Sequence, residues 1–343
     1  MVRGAEGRRY LAELVERIKR EGRGRPYDCI IGVSGGVDST YVAYIAKQYD
    51  LRPLAVHMDN GWDSELAVKN IEETLKRLGI DLYTNVLDWE EFKDLQVAFL
   101  KASTPDSEIP SDHAIWAVLG DMAEKVKVRY MLSGFNVRTE THLPRAWSQG
   151  HFDWKYIYSV HKQFGKRKLK TFPHQSFFTY YRRLLTLRRV DILNYLDYNK
   201  QEAMKILERE LGWRYYGGKH YESIYTRFYQ GYILPAKFGY DKRRSHLSSL
   251  ICSGEITRET ALQDLQNPAY APSVQEEDRE YVAKKLGLSD AEFDAIMRLP
   301  RKNFLDYPSS GRVLEGPLFK GIYILLRDLY RARQRRQHQT TGT

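Results

Sequence analysis

Between Cys29 and Gly134 four short apolar runs alternate with amphipathic helical patterns, and this alternation constrains the fold more than any other feature of the chain. "CIIGV" precedes a helix predicted over Ser39–Gln48, "PLAVHM" one over Ser64–Leu78, and "DLYTNVL" one over Glu90–Lys101. A further helix, "DHAIWAVLGDMAEKV", leads into "RYMLSG". Strands alternating with helices of this length predict a parallel sheet covered on both faces. Right-handed crossovers make it doubly wound, with the ligand beyond the C-terminal ends of the strands at the switch point. "KLKTFP" (168–173) is the expected fifth strand. An amphipathic helix occupies residues 1–26, the α/β domain is expected over 27–198, and 199–343 reads as mostly helical.

The first strand opens into Ser34-Gly35-Gly36-Val37-Asp38-Ser39-Thr40. A glycine turn between a strand and a helix lets backbone N–H groups and the helix dipole hold an anion. Ser34 and Ser39 add hydroxyl donors. A carboxylate at Asp38 would repel phosphate unless a Mg²⁺ ion lay between them. The lysine of a Walker A loop is missing, which argues against γ-phosphoryl transfer of the P-loop kind.

Composition narrows the partners. A formal net charge of +10 favours anionic ligands without choosing among them, and the 25 tyrosines include clusters with basic residues that would suit bases or sugars. No run approaches the roughly 18 apolar residues of a spanning helix, so we expect no membrane insertion and a cytoplasmic location. The two cysteines, Cys29 and Cys252, form no CxxC pair, so a cysteine-based zinc site within the chain is not expected.

The SGGVDS string resembles the PP-loop of the ATP pyrophosphatases, the adenine nucleotide alpha-hydrolase-like group. The resemblance implies cleavage of ATP between its α and β phosphates, with Mg²⁺, while a carbonyl or amide oxygen attacks the α-phosphorus. It implies that Val56, His57 and Met58 lie against adenine and that Asp59 is near the ribose, an Asp at the strand end capping the following helix being the plain alternative. In "LSGFNVRTE", similar to a nucleotide-lining segment of the same family, Ser133 and Gly134 would line the nucleotide. There Glu140 would join Asp38 as a second Mg²⁺ carboxylate, and Arg138 would pair with phosphate or stay solvated.

The C-terminal half, from "LGWRYYGGKHYESIYTRFYQGY" through "DKRRSHLSSLICSGEITRETAL", resembles the N-acetyl sugar amidotransferases of lipopolysaccharide O-antigen and surface-sugar biosynthesis. "SDHAIWAVLGDMA", "SGFNVRTE" and "LKTFP" agree with it. This resemblance implies adenylation of a sugar acetamido group, the sugar being nucleotide- or lipid-linked, and displacement of AMP by ammonia. With no glutaminase nucleophile evident, the ammonia would come from solution or a separate glutaminase paired with a cyclase-like barrel. Lys219 and Arg227 are the candidate catalytic contacts to pyrophosphate or sugar nucleotide, an ordinary charged helix start being the alternative. His220, Lys242, Arg243, Arg244, His246 and Arg145 are weaker candidates. Members of that family commonly carry an N-terminal zinc ribbon that this sequence does not show. A tRNA-modifying PP-loop ligase and a non-catalytic nucleotide-binding protein remain the competing readings, although sulfur insertion lacks a suitably placed cysteine and nucleic acid is the less favoured partner.

Overall fold

A computed structural model describes residues 4–140, 143–218, 221–269 and 271–310. Five parallel strands, β1 (Cys29–Gly32), β2 (Pro53–Asp59), β3 (Leu82–Val86), β4 (Tyr130–Ser133) and β5 (Arg188–Asp191), form one sheet in the order β3-β2-β1-β4-β5. The order reverses between β1 and β4, which places the switch point where the glycine turn leaves β1. The helices are α1 (Gly4–Glu21), α2 (Val37–Gln48), α3 (Glu65–Leu78), α4 (Trp89–Ala102), α5 (Ile109–Lys125), α6 (Trp154–Phe164) and α7 (Phe177–Thr186). They continue as α8 (Lys200–Leu211), α9 (Ile224–Phe228), α10 (Lys242–Cys252), α11 (Arg258–Asp264), α12 (Pro272–Leu286) and α13 (Asp290–Arg298).

Side chains alternate across each strand, and the two faces of β1 enter different cores. Cys29 and Ile31 pack with Leu11, Val42, Ala46 and Leu207, from α1, α2 and α8. Ile30 packs with Leu54, Val118 and Met122 on the α5 side. Burial on both faces is why the central strands are uniformly apolar. Burial also pushes the Cys29 thiol well up, so it is an inert core residue. A third core joins α4 and α6 to α9, α12, α13 and a π-helical segment over Tyr229–Phe238. Of the helices beyond residue 199, α8, α9, α12 and α13 therefore share cores with the sheet or its covering helices.

The expected strand "KLKTFP" is a loop. Its backbone donors are taken by one carboxylate of α4: Lys170 N–H gives to Glu91 Oε1 at 2.9 Å, and Thr171 and Phe172 N–H to Oε2 at 2.9 and 3.1 Å. Asp94, one turn on, accepts the N–H groups of Lys166 and Arg167 and a bond from His161. With their donors spent on side chains, these residues have no ladder to make. The fifth strand is instead the charged "RRVD" of β5. Arg188 there reaches Glu21 at 2.9 Å and Arg189 reaches Asp191 at 2.6 Å, which hides an edge strand from any hydrophobic pattern.

Candidate active site

The turn after β1 is held from three directions. Gly35 has φ +76°, and a Cβ there would lie 2.5 Å from the Ala67 carbonyl oxygen, so glycine is required on both counts. A Cβ at Gly134, in the loop after β4, would come within 3.0 Å of the Asp38 carbonyl carbon. The loops at the switch point are thus in van der Waals contact. Inside the turn, Gly36 N–H gives to Ser34 Oγ at 3.4 Å and Ser39 Oγ gives to the Gly36 carbonyl at 3.2 Å.

Asp38, half-buried in the first turn of α2, accepts the Tyr198 hydroxyl and, at 3.5 Å, the Asn136 amide. Asn136 in turn accepts from Thr139, which shapes the loop leading to the exposed Glu140. Burial pushes the Tyr198 phenol far up, and the charges of Asp38 and Glu140 add to it, so both carboxylates act on one hydroxyl. Over the turn lies the segment beginning at Trp213, whose Nε1–H gives to the Gly35 carbonyl at 2.9 Å. The Tyr216 hydroxyl would meet a Cβ on Gly36 at 3.4 Å.

A cleft of about 1060 Å³ opens beside this turn. Of the residues expected at the site, Ser34, Val56, His57, Met58, Glu140 and Arg227 line it, together with Lys242, Arg243 and His246. Gly35, Gly36, Asp38, Ser39, Ser133 and Gly134 are not among its lining residues. His57 is buried and fully engaged, with Nδ1 2.9 Å from the Val33 carbonyl and Nε2 3.2 Å from Asp63. Burial opposes its charge, but Asp63 and the Val33 carbonyl prevail and its pKa is raised.

Other expected residues have structural work. Asp59 accepts from Gly61 N–H at 2.8 Å, so it caps the turn after β2. Thr40 is buried in α2. Arg138 is not held out to an anion: it gives to the Tyr198 carbonyl at 2.6 Å and lies 3.9 Å from Glu255. Arg227 makes a two-pronged bond to Asp278 of α12, at 2.7 and 2.6 Å, and stacks over Tyr221. Arg243 is clamped to Asp241, and Arg244 is exposed away from the cleft. Lys219 and His220 lie outside the described residues, as does the side chain of Arg145.

One cluster of cleft residues was, apart from Lys242, not among those expected. In it Asp106, Glu108 and Asp112 converge with His151 and Lys242. Burial opposes ionisation of Asp106, yet His151, Lys242 and Ser148 hold its pKa at about 2. Asp112 and Asp106 overcome burial to raise the His151 pKa to about 10. Glu108 goes the other way: burial raises it, Lys242 opposes, the charge of Asp106 reinforces, and the result is a raised pKa. Its Oε1 accepts from Thr226 at 2.6 Å and its Oε2 from Gln230 at 3.0 Å. The available signal was three carboxylates within "DSEIPSD", at the start of the helix that feeds β4. A helix entering a parallel strand begins on the ligand side of the sheet.

Comparison with known proteins adds three findings. Residues 222–319 match the family described as LPS biosynthesis protein WbpG-like, C-terminal domain. A tRNA(Ile)-lysidine synthase from Chlamydia pneumoniae is 37% identical over 71 residues, which are 20% of this chain and 22% of that protein. The chain thus spans about a fifth of the length of the curated relative it matches. Among solved structures, an NH3-dependent NAD synthetase from Campylobacter jejuni, in complex with nitrate, is similar over 86% of this chain and 98% of its own, at 12% identity and a TM-score of 0.37. An NMN synthetase from Francisella tularensis is similar over 75% and 97%, at 13% identity and a TM-score of 0.37.

Proposed function

We propose, from the PP-loop-like turn at Ser34–Ser39 and the WbpG-like match over residues 222–319, that the chain is an ATP-dependent amidotransferase acting on the acetamido group of a sugar destined for surface polysaccharide. The observation that carries the reading is the extent of the cleft. It runs from Ser34 and the end of β2 to Thr226, Gln230 and Lys242 of the WbpG-like part, so one cavity can take a nucleotide at one end and an acceptor at the other.

The acetamido oxygen attacks the α-phosphorus of ATP, the bond to pyrophosphate breaks, and an O-adenyl imidate results. Ammonia adds to the imidate carbon, loses a proton, and AMP leaves with the former amide oxygen. The product is an acetamidino sugar. Catalysis of the first step is a matter of positioning and charge neutralisation. The turn at Ser34–Ser39 offers backbone and hydroxyl donors at the start of α2, and Val56, His57 and Met58 form the wall for the base. Asp38 and Glu140, both oxygen donors acting on Tyr198, suit the hard oxygen preference of Mg²⁺ and would hold it. When bound, that ion would offset phosphate charge. Among the described residues no helix is long and apolar enough to cross a membrane. We assign the sugar to a nucleotide or lipid carrier and the ammonia to a separate glutaminase.

The test is product analysis with ATP, Mg²⁺, an ammonium salt and a panel of nucleotide-linked acetamido sugars, with tRNA as a parallel acceptor. AMP and pyrophosphate formed only with a sugar, and a product in which NH has replaced O, are expected. AMP formed only with tRNA would transfer the protein to the RNA-modifying branch.

A further inference from the structure

The proposed reaction needs a group that takes a proton from the incoming nitrogen, and the cleft's titratable side chains differ sharply in fitness for it. His57 has both ring nitrogens engaged, by the Val33 carbonyl and Asp63. His151 is held protonated between Asp106 and Asp112, so it has no lone pair to offer at neutral pH. Asp106 is pinned in its ionised form by His151, Lys242 and Ser148 and is a weak base. Glu108 remains. It stands at the N-terminus of α5, where the helix dipole favours its charge, but burial and Asp106 outweigh that.

We propose that Glu108 is the general base that accepts the proton from the nitrogen nucleophile. Glu108 lines the same cleft as Ser34 and His57, while the groups that bond it, Thr226 and Gln230, belong to the WbpG-like part, as does Lys242 3.9 Å away. Ammonia adds to the imidate carbon, one N–H bond breaks with its proton passing to a Glu108 oxygen, and AMP departs with the electrons of the C–O bond. Two neighbouring carboxylates whose surroundings drive their proton affinities apart divide the work, one fixed as a charge and the other moving a proton. The groups facing Glu108 are Asp106 beside it, Lys242 from α10 and Tyr225 from α9, with Asp112 and His151 beyond Asp106.

This inference rests on the amidotransferase reading, and the experiment separates the two. Sugar-dependent ATP–pyrophosphate exchange is measured without a nitrogen source, then amidine formation with ammonium and with hydroxylamine, for wild type, E108Q and E108D. E108Q is expected to keep exchange within a few-fold of wild type while kcat/KM for ammonium falls roughly a hundredfold or more. Its rate should lose the rise with pH that a carboxylate base gives. E108D should recover part of the rate, and hydroxylamine, whose adduct carries a more acidic N–H and can lose its proton to water, should rescue E108Q. Unchanged ammonium kinetics in E108Q would overturn the assignment. Loss of exchange together with amidine formation would also overturn it, by making Glu108 structural. Absence of exchange with every sugar in wild type would instead sink the amidotransferase reading itself.

Discussion

The Arg227–Asp278 pair decides whether Arg227 is available to an anion in the cleft or committed to the fold. Its two N–H···O bonds run in parallel at 2.7 and 2.6 Å, and the side chains are 19% and 7% exposed. An exposed ion pair contributes about 1 kcal/mol or less. Removing one partner of a buried pair costs about 3–5 kcal/mol, because the other charge is left without compensation. Asp278 is the more buried partner, so Arg227→Ala should fall near the upper end and Asp278→Ala near the lower, where water and the Tyr221 ring still serve the guanidinium. The double variant should cost little more than the worse single, giving a coupling of about 2–3 kcal/mol. Urea unfolding with an unchanged m-value is the assay. Single costs below about 1 kcal/mol that simply add would refute the reasoning and return Arg227 to the pool of substrate contacts.

Three further outcomes follow from the same geometry. Gly134→Ala places a methyl against the Asp38 backbone, which cannot rotate away; a loss of about 1–3 kcal/mol in stability and a larger loss of ATP-dependent turnover are expected, read by melting and AMP release. Glu91→Ala strands the N–H groups of Lys170, Thr171 and Phe172 and should cost about 3 kcal/mol or more by urea unfolding; Glu91→Gln, which keeps acceptors, should cost visibly less. The His151 pKa lies above its value of about 6.5 in an unfolded chain. Its contribution is therefore complete below that value and is lost as pH rises through about 10. Urea midpoints of wild type should drop between those limits more steeply than those of His151→Asn, and parallel curves would contradict the ion cluster.

Four strands, the covering helices and the phosphate-type turn were legible because buried parallel strands and amphipathic helices write strong periodic patterns. β5 was not, because an edge strand of two arginines, a valine and an aspartate carries its burial in ion pairs with Glu21 and within itself. "KLKTFP" misled for the complementary reason: its pattern suits a strand, but Glu91, about 80 residues earlier, consumes its donors. At the site the glycine turn was readable, since it depends on local backbone, whereas the bonds that Asp38 accepts from Tyr198 and Asn136 come from distant segments. The commitments of Arg138 to the Tyr198 carbonyl and Arg227 to Asp278 are long-range pairings that residue type cannot reveal. The Asp106–Glu108 cluster was hidden for the same reason, its character being set by His151, Lys242, Thr226 and Gln230 from distant segments.

The central claim is that the acetamido oxygen itself attacks the α-phosphorus, and isotope transfer tests it most directly. A nucleotide-linked acetamido sugar carrying heavy oxygen in its amide carbonyl is turned over with ATP, Mg²⁺ and ammonium, and the AMP is analysed by mass spectrometry. The account predicts one labelled oxygen in the AMP phosphate for every amidino sugar formed. Unlabelled AMP, with the heavy oxygen retained in the sugar or released to water, would contradict it.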